Sequence, residues 1–231
     1  MGRFGILAGL VCAMLAASGL AFARGPGMTG GVAFKFGPDL AASNWRYIGF
    51  PRRRGAQFTA HGEDTVVVQT NAGIGVLWHP VPRQMSRASK ARWRWRVTKG
   101  VGPTDLTKKG GDDRTLAVYF AFTDEAVTGN VDLMDLLQNE RGHLLVYVWG
   151  GAADPGTVLP MPYFGGRART VVKRAANAKS GVWFDEMADM RVDFRRAFGR
   201  VPGRLVAVAV SSDADDTGGL NVAALADLCV R

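Results

Sequence analysis

In this 231-residue chain, two short acidic loops contain the side chains that are best suited, by type and spacing, to catalysis or ion binding. Residues 112–114 (Asp-Asp-Arg) directly precede a predicted strand, and residues 213–218 (Asp-Ala-Asp-Asp-Thr-Gly) follow another. If the loops meet, Asp113 with Asp213 or Asp215 could supply the paired carboxyl groups that cleave glycosides. The distance between the two groups decides whether one of them acts as a nucleophile or activates a water molecule. Carboxylates also pair with arginine, so salt bridges are the alternative interpretation.

The second loop, residues 213–218, also resembles the start of a calcium-binding loop, D-x-D-x-[polar]-G. The twelfth position counted from Asp213 is Ala224 rather than glutamate, which excludes a complete EF-hand. A tight turn whose aspartates bind local amides is one prediction for this segment. The other is a single calcium ion held by Asp213, Asp215 and backbone carbonyls, and we predict no further cofactor.

Other kinds of site find no support in the sequence. The motifs G-x-S-x-G, S-x-x-K and H-E-x-x-H are absent. His61, His79 and His143 are scattered, which argues against a histidine-rich zinc site. Cys229 stands in an apolar strand, where we expect a buried small hydrophobic residue rather than a nucleophile.

The clearest structural element is the stretch 91–97 (ARWRWRV), in which large apolar residues alternate with arginines. Such alternation predicts a β-strand that has its tryptophans on a core face and three guanidinium groups on the other face. The arginines of this second face are Arg92, Arg94 and Arg96. They either meet water or line a site for an anionic ligand.

Two further predicted strands, 115–122 and 144–149, have no polar face, so we expect them in the middle of a sheet. If these strands and 91–97 are neighbours in register, one sheet face combines aromatic rings with arginines. Sugar rings stack on aromatic rings, and arginine binds hydroxyls, carboxylates or phosphates through two hydrogen bonds. The alternative is an amphipathic core face covered by a helix predicted at 131–140. The predicted ligand-binding residues are Arg92, Arg94, Arg96, Tyr119, Tyr147, Trp149 and Asp113.

The remaining pattern is a series of short extended runs separated by turn residues, which is typical of a sandwich or barrel. We predict a mainly β protein: a single antiparallel β-sandwich of the jelly-roll, carbohydrate-binding-module-like kind over residues 24–231, with one or two short helices. The spacing of apolar residues places these helical segments at 131–140 and 187–198. No repeat or linker divides the chain.

The first 23 residues have the pattern of a secretory signal peptide. Arg3 is followed by an apolar run, Phe4 to Phe22, and by an A-x-A cleavage signal at residues 21–23. We therefore predict an exported protein, either periplasmic or secreted. No later segment has the ~20 apolar residues needed to cross a bilayer, so we expect no transmembrane segment after cleavage.

The formal charge of +9 narrows the range of partners. In an exported protein it favours anionic glycans, phospholipid headgroups or lipopolysaccharide, and nucleic acid is not a predicted partner. A basic surface without a specific partner is the alternative. Because Cys229 is the only cysteine outside the predicted signal peptide, we expect no intramolecular disulfide. The sequence does not indicate an oligomeric state.

Five segments together resemble bacterial exported proteins of the uncharacterised family called domain of unknown function 3047. They are Trp93-Arg94-Trp95-Arg96-Val97, Lys109-Gly110-Gly111-Asp112-Asp113, Tyr147-Val148-Trp149-Gly150, Asp193-Phe194-Arg195-Arg196-Ala197-Phe198-Gly199 and Asp213-Ala214-Asp215-Asp216-Thr217-Gly218. The resemblance implies a jelly-roll β-sandwich of the kind seen in carbohydrate-binding modules, and it implies no established activity. By position, the family's motif residues correspond to Asp113, Trp149, Trp183, Asp193, Asp213 and Asp215, with departures at Gly111 and Ala214.

The sequence therefore favours a non-catalytic module that binds a glycan or another anionic component of the cell envelope. The first alternative is a glycoside-active enzyme with paired aspartates. A structure in which these carboxyl groups lie far more than ~10 Å apart would exclude this alternative. The second alternative is an envelope scaffold that binds a protein partner. An exposed apolar patch without concavity would favour this scaffold role.

Overall fold

The computed structural model describes residues 30–124, 132–138 and 141–231. The predicted signal peptide at 1–23 lies outside the described residues, and so do both ends of the helix predicted at 131–140. Within the described ranges, the structure contains no helix that is long and apolar enough to span a membrane.

In these ranges the chain forms fourteen strands, two α-helices and a short 3₁₀ helix at Arg83–Met85. The strands are β1 (Val32–Ala33), β2 (Arg46–Ile48), β3 (Arg54–Gly55), β4 (Gln57–His61), β5 (Thr65–Asn71), β6 (Gly73–Pro80), β7 (Lys90–Lys99), β8 (Arg114–Thr123), β9 (Gly142–Trp149), β10 (Val158–Pro160), β11 (Ala168–Arg174), β12 (Phe184–Asp189), β13 (Arg204–Asp213) and β14 (Leu220–Val230). The helices are α1 (Leu133–Gln138) and α2 (Met190–Phe198).

Two sheets face each other across a shared core. Sheet A has the strand order β12-β7-β14-β5-β4, with β1 paired to β14. Sheet B has the order β10-β11-β9-β8-β13-β6-β2, with β3 paired to β6. Strands β5, β6, β7 and β8 belong alternately to sheet A and sheet B, so each connection between them crosses from one sheet to the other. Strands β11, β12, β13 and β14 alternate in the same way, as is typical of a jelly roll. The predicted mainly β sandwich with short helices is confirmed.

Two strand pairs depart from the predicted antiparallel arrangement. Strand β11 runs parallel to β9, and β3 runs parallel to β6. The first departure arises because β10 turns back into β11, which then lies between β10 and β9. The sandwich is therefore antiparallel in its main strand pairs but not throughout.

The predicted alternation of tryptophan and arginine is realised in β7. Trp93 and Trp95 are buried between the sheets, where each ring removes on the order of 200 Å² from water. Arg92, Arg94 and Arg96 lie on the opposite, outer face of sheet A, because successive side chains of a strand point to opposite sides. This strand fixes which face of sheet A is the inner one.

Aromatic rings from both sheets fill the centre of the core. Trp95 meets Trp149 edge to face with 5.8 Å between ring centroids, and Trp93 lies 5.3 Å from Tyr147. Phe120 lies 5.8 Å from the same tyrosine. Aromatic pairs at these distances add stability beyond the burial of the rings. The core therefore depends on rings that the sequence had assigned partly to a surface.

Helix α2 covers one edge of this core. Asp189 caps its N-terminus by accepting a backbone hydrogen bond of 3.0 Å, and Gly199 ends it with a φ of 73°. Phe194 is fully buried, with 5.1 Å between its ring centroid and that of Phe122. The helix begins later than the segment predicted at 187–198, because the residues before it pair with β7 as strand β12.

Trp149→Ala is expected to lower the free energy of unfolding by about 3–5 kcal/mol, because it leaves a cavity in the aromatic core. Trp183→Ala is the control, since Trp183 is only partly buried and covers the outer face of sheet A; its loss should cost about 1 kcal/mol. Urea unfolding followed by circular dichroism measures both variants. Equal losses would contradict the central position of Trp149.

Candidate functional site

An open cleft of about 570 Å³ lies on the outer face of sheet B, and we call it the sheet B cleft. The strands beneath it, β8 and β13, carry small outward-facing side chains, Ala121, Ala207 and Ala209. Their alternate residues, such as Phe120 and Val208, fill the core. Small side chains outside and large ones inside leave a trough along the middle of the sheet.

Apolar side chains from both edges of sheet B form the walls of this cleft. They come from β2 and the segment after it, from the loop between β10 and β11, and from helix α1. Phe50 and Tyr163 are 38% and 61% exposed, so their rings are open to a ligand. The wall residues are Ile48, Phe50, Leu133, Leu137, Met161, Tyr163 and Phe164.

The polar end of the cleft forms where β8 begins and β13 ends. These strands pair antiparallel with Arg114 opposite Asp213, so the loop before β8 and the loop after β13 lie side by side. The backbone N–H of Thr217 donates to Asp113 Oδ2 at 2.7 Å, and that of Asp216 donates to Oδ1 at 3.3 Å. The structure therefore brings together the two acidic loops that the sequence singled out.

Arg114 is buried at the centre of this polar end. Its Nη1 donates to the Asp112 carbonyl at 2.9 Å and pairs with Asp213 Oδ2 at 3.3 Å. Its Nη2 donates to the Tyr119 hydroxyl at 3.0 Å, and that hydroxyl lies 2.9 Å from Ser211 Oγ. One guanidinium thereby holds both acidic loops and the tyrosine that faces the cleft.

Asp113 clamps the two loops together. Its side chain is fully buried, and Oδ2 accepts hydrogen bonds from both the backbone N–H and the hydroxyl of Thr217, at 2.7 and 2.6 Å. The carboxylate lies beneath the loop of residues 213–218 rather than open to the cleft. The structure therefore gives this predicted ligand-binding residue a structural position.

Burial raises the pKa values of several carboxyl groups at this end. Burial, with the neighbouring carboxyl group of Asp215, raises the pKa of Asp213 to about 8. Burial also raises the pKa of Asp112 and, helped by Asp215, that of Asp216. On the exposed rim, Arg53 Nε lies 3.0 Å from Asp215 Oδ2. These carboxyl groups are close enough to oppose one another's ionisation.

The predicted single face of aromatic rings and arginines does not form, because its members lie in three layers. Tyr147 and Trp149 point between the sheets, whereas Tyr119 points into the sheet B cleft. The register of β8 and β9 places Val118 opposite Tyr147, so Tyr147 shares a face with Val118 and not with Tyr119. The arginines of β7 belong to the other sheet. The predicted grouping was wrong on this point.

The arginines themselves do form a row on the outer face of sheet A, and we call Arg92, Arg94 and Arg96 the arginine row. The ring of Trp183 lies over the guanidinium groups of Arg94 and Arg96, at 5.2 and 5.1 Å. Arg94 also pairs with two carboxylates, one of them Asp185 at 3.2 Å. The arginine row is thus partly packed, partly paired, and on the opposite side of the sandwich from the sheet B cleft.

The sequence did not single out Phe50, Arg53 or Tyr163 as site residues. These residues stand in loops, where no hydrophobic period reports which way a side chain points. The available signal was the alanines at outward positions of β8 and β13, because small residues on central strands indicate a trough between larger neighbours.

Arg114→Met is expected to destabilise the protein by about 3–5 kcal/mol, because it leaves the buried carboxyl groups of Asp112 and Asp213 without their cation. Tyr119→Phe removes one hydrogen bond of the same guanidinium and should cost only about 1 kcal/mol. Both losses are measured by urea unfolding. The central role of Arg114 is refuted if its variant loses no more stability than Tyr119→Phe.

Comparison with known proteins gives one family and several solved structures. A family model described as "Protein of unknown function (DUF3047)" matches residues 43–229. No curated protein sequence matches the chain.

The similar solved structures include two glycan-degrading proteins. An endoglucanase from Rhodothermus marinus is 15% identical, with a TM-score of 0.47 over 83% of this chain and 93% of that one. The xyloglucanase domain of a type three effector from Sinorhizobium fredii, in complex with cellobiose, is 10% identical, with a TM-score of 0.45 over 81% and 92%. At these identities and TM-scores, the chemistry of the cleft rests on the residues of this chain alone.

Proposed function

The chain belongs to the DUF3047 family of proteins of unknown function, and we propose that it binds an uncharged glycan in the sheet B cleft. One observation carries the proposal: an open trough with exposed aromatic rings on its walls ends in a cluster of carboxyl and guanidinium groups. A sugar ring uses both features, because its C–H faces stack on aromatic rings and its hydroxyls form charge-assisted hydrogen bonds.

The dimensions of the cleft suit a ligand of this kind. Its volume of about 570 Å³ falls within the range of roughly 300–1,000 Å³ that is usual for ligand sites. Phe50 and Tyr163 approach it from opposite edges of sheet B. The hydroxyl of Tyr163 accepts a 3.0 Å hydrogen bond from Gly110 N, and Lys109 Nζ lies 5.2 Å from its ring. These contacts hold the tyrosine in place as a stacking platform.

The charge at the polar end favours an uncharged ligand. Arg53 is half exposed and can donate to a hydroxyl, while Asp215 and Asp216 can accept from one. An acidic ligand would meet a surplus of carboxyl groups and be repelled. The cleft therefore supports a glycan without acidic groups, in place of the anionic component that the basic net charge suggested.

The spacing of the carboxyl groups supports binding over hydrolysis. Asp113 already accepts its hydrogen bonds from Thr217, which removes it from the pairs predicted for glycoside chemistry. Asp113 and Asp215, one of the predicted pairs, offer carboxylate oxygens within 4.8 Å of each other, below the roughly 5–5.5 Å of retaining enzymes and the 6.5–9.5 Å of inverting ones. Measuring release of reducing ends in the binding experiments tests this alternative directly.

The concave shape of the cleft also favours ligand binding over the envelope scaffold, for which a flat apolar patch would be expected. Export to the periplasm or the medium stays a prediction. Under that prediction, the glycan comes from the cell envelope or from outside the cell.

A second candidate function is the binding of an anionic polymer by the arginine row. The observation that favours it is the stack of Trp183 on Arg94 and Arg96, which combines an aromatic platform with two guanidinium groups on an outer sheet face. Alternate residues of a strand stand ~6.7 Å apart, so the row offers regularly spaced cations. The net charge of +9 supports the same candidate.

Tyr163→Ala is expected to weaken glycan binding roughly tenfold, because one stacking platform is lost. Tyr47→Ala is the matched control, since Tyr47 is also an exposed tyrosine but packs on Phe58, away from the cleft. Calorimetric titration of the full chain with a panel of uncharged oligosaccharides measures both. Ala209→Trp, which fills the floor of the cleft, should abolish binding.

Three outcomes of this titration would count against the glycan site. The first is the absence of saturable heat with every uncharged oligosaccharide. The second is equal weakening by Tyr163→Ala and Tyr47→Ala. The third is full binding by an Ala209→Trp variant that unfolds at the wild-type temperature.

The second candidate predicts that polygalacturonate changes the fluorescence of Trp183, and that added salt weakens the effect by screening. Arg96→Gln should reduce the affinity several-fold, because each guanidinium contributes to a charge-assisted contact. Arg87→Gln is the control, since Arg87 is exposed outside the row. A shift that survives in Trp183→Phe, or an unchanged affinity in Arg96→Gln, would rule out the arginine row.

A further inference from the structure

The polar end of the sheet B cleft holds more carboxyl groups than cations. Five aspartates meet there, and two guanidinium groups, those of Arg53 and Arg114, form ion pairs with them. Carboxyl groups crowded into a partly buried place must either keep their protons or be balanced by a further cation. The five aspartates are Asp112, Asp113, Asp213, Asp215 and Asp216.

Three of these aspartates can reach one ion. Asp113, Asp215 and Asp216 each offer a carboxylate oxygen, and these oxygens all lie within 4.8 Å of one another. An ion with metal–oxygen distances of roughly 2.3–2.6 Å fits between oxygens spaced in this way. Oδ1 of Asp113 accepts only the 3.3 Å bond from Asp216 N among the hydrogen bonds described, so it keeps a lone pair for such an ion.

A fourth carboxyl group supplies independent evidence. The Asp213 side chain is 6% exposed, and its Oδ1 is buried without a hydrogen-bond donor in the described structure. Oδ2 takes the ion pair with Arg114, and Asp213 ends the strand that leads directly into the loop of Asp215 and Asp216. A buried oxygen without a partner costs free energy, and a cation beside it removes that cost.

We propose that Asp113, Asp215 and Asp216 bind one Ca²⁺ ion at the polar end of the cleft, and that this cation also stabilises the buried Oδ1 of Asp213. The donor set consists of oxygens alone, which favours a hard cation over zinc. Ca²⁺ accepts roughly six to eight oxygens in flexible arrangements, whereas Mg²⁺ demands a near-ideal octahedron. Two loops from different parts of the chain suit the more flexible ion.

The geometry changes the ligand set that the sequence suggested. Asp215 keeps its place, Asp113 and Asp216 join it, and Asp213 leaves the ligand set because its Oδ2 pairs with Arg114. The ion tightens the contact between the two acidic loops that Asp113 already clamps. This inference does not depend on a glycan in the cleft, so it is tested on the protein without sugar.

Thermal unfolding of the full chain, stripped of metal with EGTA, tests the site. Ca²⁺ is expected to raise the Tm in a concentration-dependent way and to bind one to one in calorimetry, with a Kd in roughly the 0.1–1 mM range of extracellular calcium modules. Asp216→Asn should raise the Kd about tenfold or more. Asp185→Asn, an exposed aspartate on the outer face of sheet A, should leave it unchanged.

The same Tm in EGTA and in Ca²⁺, with no heat of binding, would overturn the site. An equal response to Mg²⁺ would overturn the choice of ion, and wild-type affinity in Asp216→Asn would overturn the ligand assignment. If the variant does not fold, terbium luminescence of the wild-type chain decides: a signal that Ca²⁺ displaces supports the site, and no signal refutes it. Because no sugar is present, these results stand apart from the glycan titration.

Discussion

Arg114 and Asp213 face each other where β8 begins and β13 ends, and the face of the sandwich that carries the sheet B cleft is built around that buried ion pair. Without the guanidinium, two aspartates would be buried beside each other with no cation, an arrangement that proteins avoid. The same two strands carry the alanines of the cleft floor. One register therefore sets both the trough and the position of the carboxyl groups at its end.

The fold was predictable where the two faces of a strand differ in polarity. In β7 the tryptophans had to face the core and the arginines the solvent side, and they do. Strands β8 and β9 have two apolar faces, so a period of two residues cannot tell which face is inner. Only their pairing, with Val118 opposite Tyr147, decides it. The aromatic surface was predicted wrongly for this reason.

The candidate site was predictable only in its parts. The sequence placed acidic residues beside two strand ends, but their meeting depends on pairing between β8 and β13, which lie far apart in the chain. Non-local pairing of this kind leaves no trace in a local pattern. The walls at Phe50 and Tyr163 come from loops without hydrophobic periodicity, so only the assembled sheet brings them to one cleft.

The place of β14 in sheet A affects how the molecule is made. This strand lies between β5 and β7, although both precede it by a long stretch of chain. A ribosome releases the N-terminal residues first, so the tryptophan-bearing strand β7 stays without its central neighbour until residue 230 has been synthesised. Long-range pairing also slows folding. Sheet A is therefore completed only after its last strand has been synthesised.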